Sequence, residues 1–174
     1  PGSLISSLYN ARENMRTTRE IMPSETWVSV NALYLSVKER ADKDLPRSKR
    51  HQVLNDIIRS CQQISGLLAG TMNHDEAYQF ILMGRKLERT DMSSRIIDVG
   101  TASLSGERVE TLPYQNVLWI SILRSLSAYQ MYRLSVRRKV KPESVLSFLI
   151  GSRVFPRALA HNLRELEACA KKMP

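Results

Sequence analysis

Cysteine is almost absent from the sequence. Cys61 and Cys169 are the only two, and they are not spaced as CxxC. That excludes a disulfide framework and leads us to expect free thiols in a reducing cytoplasm. Histidine is as scarce: His51, His74 and His161 are scattered, with no HExxH and no pair of ExxH motifs, so neither a metal nor another cofactor is expected. His74-Asp75-Glu76 reads instead as a helix start, where acidic side chains favour the positive end of the dipole. No GxxxxGK[ST] or GxGxxG loop is present to cradle a nucleotide, and no base is placed beside a cysteine or serine to make a nucleophile. No apolar run approaches the ~20 residues that span a bilayer, and the N-terminus lacks the order of a signal peptide. A soluble, cytoplasmic protein without membrane insertion is expected.

What remains is apolar and basic. The 174 residues, 43% of them hydrophobic, are enough for one helical domain over 1–174 with a substantial core. The start at Pro1-Gly2-Ser3, without an initiator Met, suggests a processed product or a fragment of a longer protein. The net charge of +9 is unevenly spread: from Arg133 to Lys172 there are ten basic and three acidic residues, so this stretch alone contributes +7. Such an end attracts anions, although a solvated basic face that keeps the protein soluble is the preferred reading.

Every long segment has the helical period. Leu4, Leu8, Ala11, Met15 and Met22 form one stripe, ended by Pro23, after which Ser24 is placed to cap a second helix with Trp27, Val30, Tyr34, Val37 and Ala41 inside. A third runs from Arg47 to Thr71, with Gly66 and Gly70 placed to admit a close neighbour. A fourth starts at Asn73 or Asp75. Thr101 to Pro113 reads as a loop. Trp119, Leu123, Leu126, Gln130 and Leu134 define a fifth helix ending near Arg137; Pro142 opens a sixth and Pro156 a seventh. The expected fold is an all-α bundle of about seven mostly antiparallel helices.

Two of these helices carry charge on the apolar side. At about 100° per residue, Arg85, Glu88 and Arg95 point with Ile81, Met92 and Val99, and Arg12 and Arg19 point with Leu8, Met15 and Met22, with Arg16 at the edge. Guanidinium forks match carboxylates, so a buried ion-pair network around Glu88 is expected, either fixing how helices pair or leaving a polar seam for an anionic group. Arg133, Arg137, Arg138 and Arg157 form a second set, suited to an anion or a partner. Arg157 follows Phe155-Pro156 at the expected helix start, where backbone N–H groups favour an anion. Trp27, Trp119, Tyr129 and Tyr132 read as core, with Tyr129 and Tyr132 the better candidates for a ligand.

The segments GRKLERTDMSSRIID, ARENMRTTRE with the following ETWVSVN, and FLIGSRVFPRAL resemble the alpha-E domain family, bacterial all-helical proteins named for a Glu-Arg motif. The resemblance covers nearly the whole chain and maps that motif onto Glu88-Arg89, with Arg12, Glu13, Arg16, Arg19 and Glu20 as the arginine-rich segment. Together with Arg85, Asp91 and Arg95 these are the expected motif residues. An earlier Glu-Arg copy usual in the family is absent, which implies the C-terminal part of a typical member, and Ala158 stands where Ser often follows FPR. The resemblance further implies association with ATP-grasp-type ligases and transglutaminase-like proteins in peptide ligation or modification, and supplies no catalytic residue.

Three functions follow as expectations. The first is an accessory module docking such a partner enzyme or an acidic peptide. The second is a nucleic-acid-binding module using Arg133 to Lys172, whose affinity would fall steeply with salt. The third is an enzyme with Glu88 as acid or base.

Overall fold

The computed structural model describes residues 3–41, 46–102 and 115–173. These form eight α-helices and one 3-10 turn, with no strand among the described residues: α1 Leu4–Thr17, α2 Ser24–Ala41, α3 Arg47–Thr71, α4 Glu76–Ala102, α5 Gln115–Ser125, α6 Tyr129–Val136, α7 Pro142–Gly151 and α8 Leu159–Ala170, with the 3-10 turn at Arg19–Ile21. The all-helical expectation holds. None of these helices is long and apolar enough to cross a membrane. The chain divides into two compact units, Pro1–Tyr78 and Gln79–Pro174.

In the first unit Ser3 caps α1 by accepting from the Ser6 N–H at 3.1 Å, and the 3-10 turn leads through Pro23 into α2. The Ser24 hydroxyl donates to the Glu25 carboxylate rather than acting as the cap foreseen. Packing of α2 on both α1 and α3 buries Leu33, Val37 and Ile57, with Leu8, Val53 and Ile64 against them. Gly66 and Gly70 do not admit a close neighbour: nothing lies within 4 Å of a Cβ placed on either.

The second unit has the larger core. Trp119, Leu123, Tyr132, Val145, Leu149 and Ala158 are wholly buried, joined by Ile97 from α4 and by Phe148 and Phe155, whose rings pack 5.0 Å apart. Expectation and structure part at three places. The single helix expected from Trp119 to Arg137 is broken into α5 and α6 at Ser127, which takes a left-handed conformation with φ 50°. The Ala128 N–H bonds back to Leu123 O at 2.6 Å across the break, and Leu126 before it and Ala128 and Tyr132 after it all reach the core. α4 continues through Ala102, and the rest of the expected loop lies outside the described residues. The last helix begins at Leu159, leaving Phe155-Pro156-Arg157 as a turn ahead of it.

Candidate anion site

The turn before α8 is held from several sides. Its first half is closed by Phe155 N–H donating to Ser152 Oγ at 3.1 Å and Ala158 N–H donating to Phe155 O at 3.0 Å. His161 Nδ1 donates to Arg153 O at 2.9 Å, and the buried Asn162 donates through Nδ2 to Ala158 O at 2.9 Å. Ser93, buried on α4, donates through Oγ to Arg157 O at 3.1 Å. That bond joins GRKLERTDMSSRIID to FLIGSRVFPRAL, 64 residues apart, and fixes Arg157 beside α4.

Arg89 lies one turn before Ser93 and Arg85 one turn before Arg89, so these two and Arg157 share one side. All three are half-buried. Burial first, then the like charges of Arg85 and Arg157, hold the Arg89 guanidinium below its ordinary value. No carboxylate forms an ion pair with any of the three among the described residues. The neighbouring Lys86, in contrast, is compensated by Glu165 at 3.5 Å. The result is a triad of half-desolvated cations, drawn from both sets of sequence candidates, on a fixed turn and a long helix.

The network expected around Glu88 does not form within this unit. Glu88 is exposed, without a hydrogen bond or ion pair among the described residues, and Arg95 pairs with Asp91 at 2.9 Å one turn away. The cause is the orientation of α4. Its inner side is the one carrying Gln79, Ser93, Ile97 and Gly100, all buried, and the direction of Glu88, Met92, Arg95 and Val99 is exposed.

The arginines of α1 find their partners inside the first unit. Arg12 donates from Nε to Asn31 Oδ1 at 2.7 Å and from Nη1 to Glu13 at 2.6 Å, and its guanidinium lies 5.6 Å from the Trp27 ring and 5.5 Å from Tyr34. Arg16 donates to the other Glu13 oxygen at 2.8 Å. The Arg16 hydrogen bond, followed by the charges of both arginines, holds the Glu13 carboxyl below the usual carboxylate value. Arg19 covers Trp27 at 5.6 Å, and Glu20 is exposed.

Arg133, Arg137 and Arg138 are brought together, with Lys139, around a pocket of about 420 Å³ at the end of α6. Tyr132 is wholly buried edge-on to Phe148, and Tyr129 is half-buried under Arg124. Tyr132 is therefore core and not a ligand platform. Sequence reasoning missed the Lys86–Glu165 pair and the Ser93 contact. The signal was present in the seven-residue spacing of Lys86 and Ser93, which puts both on one side of α4.

Among the described residues the structure thus defines an all-helical protein with an arginine-rich site that has no paired carboxylate. A family model described as a predicted alpha-helical domain with a conserved ER motif matches residues 1–174, and the chain belongs to this Alpha-E family. No curated protein and no solved structure matches it. Glu-Arg occurs at Glu39-Arg40, Glu88-Arg89 and Glu107-Arg108, the last outside the described residues; a copy therefore does precede Glu88-Arg89, and the absence expected of an earlier one, with the C-terminal part it implied, does not hold. Arg40 is paired with Asp56 at 2.9 Å, so of the two described copies it is Glu88-Arg89 that presents an arginine without an acid.

Proposed function

We propose that this Alpha-E domain is an accessory module of a peptide-ligating or peptide-modifying system, docking a carboxylate-rich segment of a peptide or partner on Arg85, Arg89 and Arg157. The observation that carries the reading is the triad itself: three half-buried arginines, two of them on the segment bearing Glu88-Arg89, lie near enough for Arg85 and Arg157 to depress the pKa of Arg89, with no carboxylate paired to any of them among the described residues. A half-desolvated cation is stabilised by an ion that supplies both charge and hydrogen-bond acceptors, and planar forks suit carboxylates. An ATP-grasp-type ligase or a transglutaminase-like enzyme is the proposed partner, on the family resemblance. The exposed position of Glu88 gives an acid–base reading no enclosing pocket to support it.

The test is binding of a fluorescein-labelled oligoglutamate peptide to the full chain, followed by anisotropy. Arg89→Glu and Arg157→Glu should each weaken binding by about tenfold or more, because reversal replaces an attraction with a repulsion. Arg95→Glu, already paired locally, should leave it within about twofold. The purified chain should not turn over ATP. Equal losses in all three variants, or measured ATP turnover, overturn the reading.

A further inference from the structure

We propose that the chain carries a second and separate anion site, in which Arg133, Arg137, Arg138 and Lys139, gathered around the joint between α6 and α7, bind a compact oligophosphate group. The site does not rest on the docking function above, since it shares no residue with the Arg85, Arg89 and Arg157 triad.

The joint is built so that four cations face one space. α6 ends at Val136, and Arg137 takes the left-handed conformation, φ 51° and ψ 24°, with its N–H bonded to Arg133 O at 3.3 Å. Left-handed backbone is unfavourable for a residue with a side chain, so the surroundings must hold it there. They do so from both sides: Tyr132 before the joint is wholly buried, and Val140 after it is 8% exposed in the same core cluster. Reversal between two anchored residues folds Arg137, Arg138 and Lys139 back beside Arg133, and these four line the pocket of about 420 Å³.

Nothing compensates them. None of the four forms an ion pair among the described residues, and Glu143, the next acid along the chain, lines a different pocket on α7. Four like charges within seven residues repel one another, and at low salt a bound anion relieves that repulsion.

Charge, size and the absence of stacking partners select the anion. A lone carboxylate would leave three of the four cations unanswered, whereas a chain of phosphates brings several charges in one small volume. A pocket of this size suits a small ligand. Three guanidinium forks and one ammonium match the tetrahedral oxygens of phosphate. No aromatic side chain lines the pocket, and the adjacent Tyr132 is buried, so the platform that single-stranded nucleic acid uses for its bases is missing. Recognition is accordingly of the phosphates and not of a base.

Isothermal titration of inorganic tripolyphosphate into the full chain at low salt tests this. The expected result is saturable binding that weakens by about tenfold or more in the Arg137→Asn/Lys139→Gln double variant and is unchanged in Arg95→Gln. Asn is chosen because it tolerates the left-handed backbone, and far-ultraviolet circular dichroism confirms the fold of the variant. ATP should bind as tightly as tripolyphosphate, within about threefold, because no base is read. The proposal is overturned if binding does not saturate, or if it survives the double variant and is lost instead in Arg89→Glu. It is also overturned if a single-stranded oligonucleotide binds more tightly than tripolyphosphate and loses that affinity in the double variant, which would identify a nucleic-acid surface.

Discussion

Arg12 sits where a charged side chain is costly unless its faces and edges are all used. Its Nε and Nη1 edges donate to Asn31 and Glu13, while Trp27 and Tyr34 both lie within cation–π range, and 26% of the side chain is exposed. Truncation would break two hydrogen bonds, one of them to a carboxylate, and leave two ring faces uncovered. We expect Arg12→Ala to lower unfolding free energy by roughly 1–3 kcal/mol, and Arg12→Lys to recover little of it because an ammonium cannot fill a planar fork between two rings. Glu88→Ala should stay within about 0.5 kcal/mol of the parent, as exposed and unpaired positions do. Urea unfolding of the three variants decides the matter, and a Glu88→Ala loss as large as that of Arg12→Ala would contradict the geometry. Both residues carry the same signal in the sequence, a charge on an apolar stripe. For Arg12 the signal holds, because aromatic residues on α2 can accept a cation; for Glu88 it fails, because the stripe it shares faces outward.

That failure belongs to α4 as an element. Apolar residues are distributed all around this helix: Phe80, Leu87, Met92 and Val99 are exposed, while Gln79 and Ser93 are buried. A periodic pattern identifies the inner face only when one side is polar, so helix existence was legible here and orientation was not. The break at Ser127 was hidden for a different reason. The apolar period runs unbroken through it, and a serine with positive φ has none of the sequence marking that glycine provides. The element boundaries at Pro23 and Pro142, by contrast, follow directly from the ring that fixes φ, and the structure has them. The true inner face of α4 predicts how its two glycines differ. A Cβ on Gly84 meets nothing within 4 Å, while one on Gly100 would collide with Ile122 Cδ1 and touch Trp119 at 3.6 Å. Gly84→Ala should therefore stabilise by about 0.5–1 kcal/mol through helix propensity alone. Gly100→Ala gains the same propensity but overpacks a core in which Ile122 is 7% exposed, a cost of about 1–3 kcal/mol, so its melting temperature should fall below that of the parent. Equal shifts in the two variants would place Gly100 outside the core.

Across the whole molecule the charge is divided as unevenly as the core. The unit Pro1–Tyr78 has ten basic and nine acidic residues, a net +1, and Gln79–Pro174 has sixteen and eight, a net +8. In the first unit Glu13 and Asp56 are paired with arginines, whereas both arginine clusters that form no ion pair among the described residues lie in the second. The sequence showed the excess but not its arrangement, since Arg89 and Arg157 meet only through a contact spanning 64 residues. Repulsion of this kind destabilises the compact state and is screened by salt, while the exposed pairs Arg95–Asp91 and Lys171–Glu167 add little that salt could remove. Melting temperature should accordingly rise with sodium chloride from low to physiological ionic strength. Replacing Arg137 and Arg138 by Asn and Gln should raise it at low salt and make no difference at high salt. A melting temperature that falls as chloride is added would mean that attractive pairs outweigh the two clusters, and a gain in the double variant that persists at high salt would mean that relief of backbone strain at Arg137, not relief of charge, produced it.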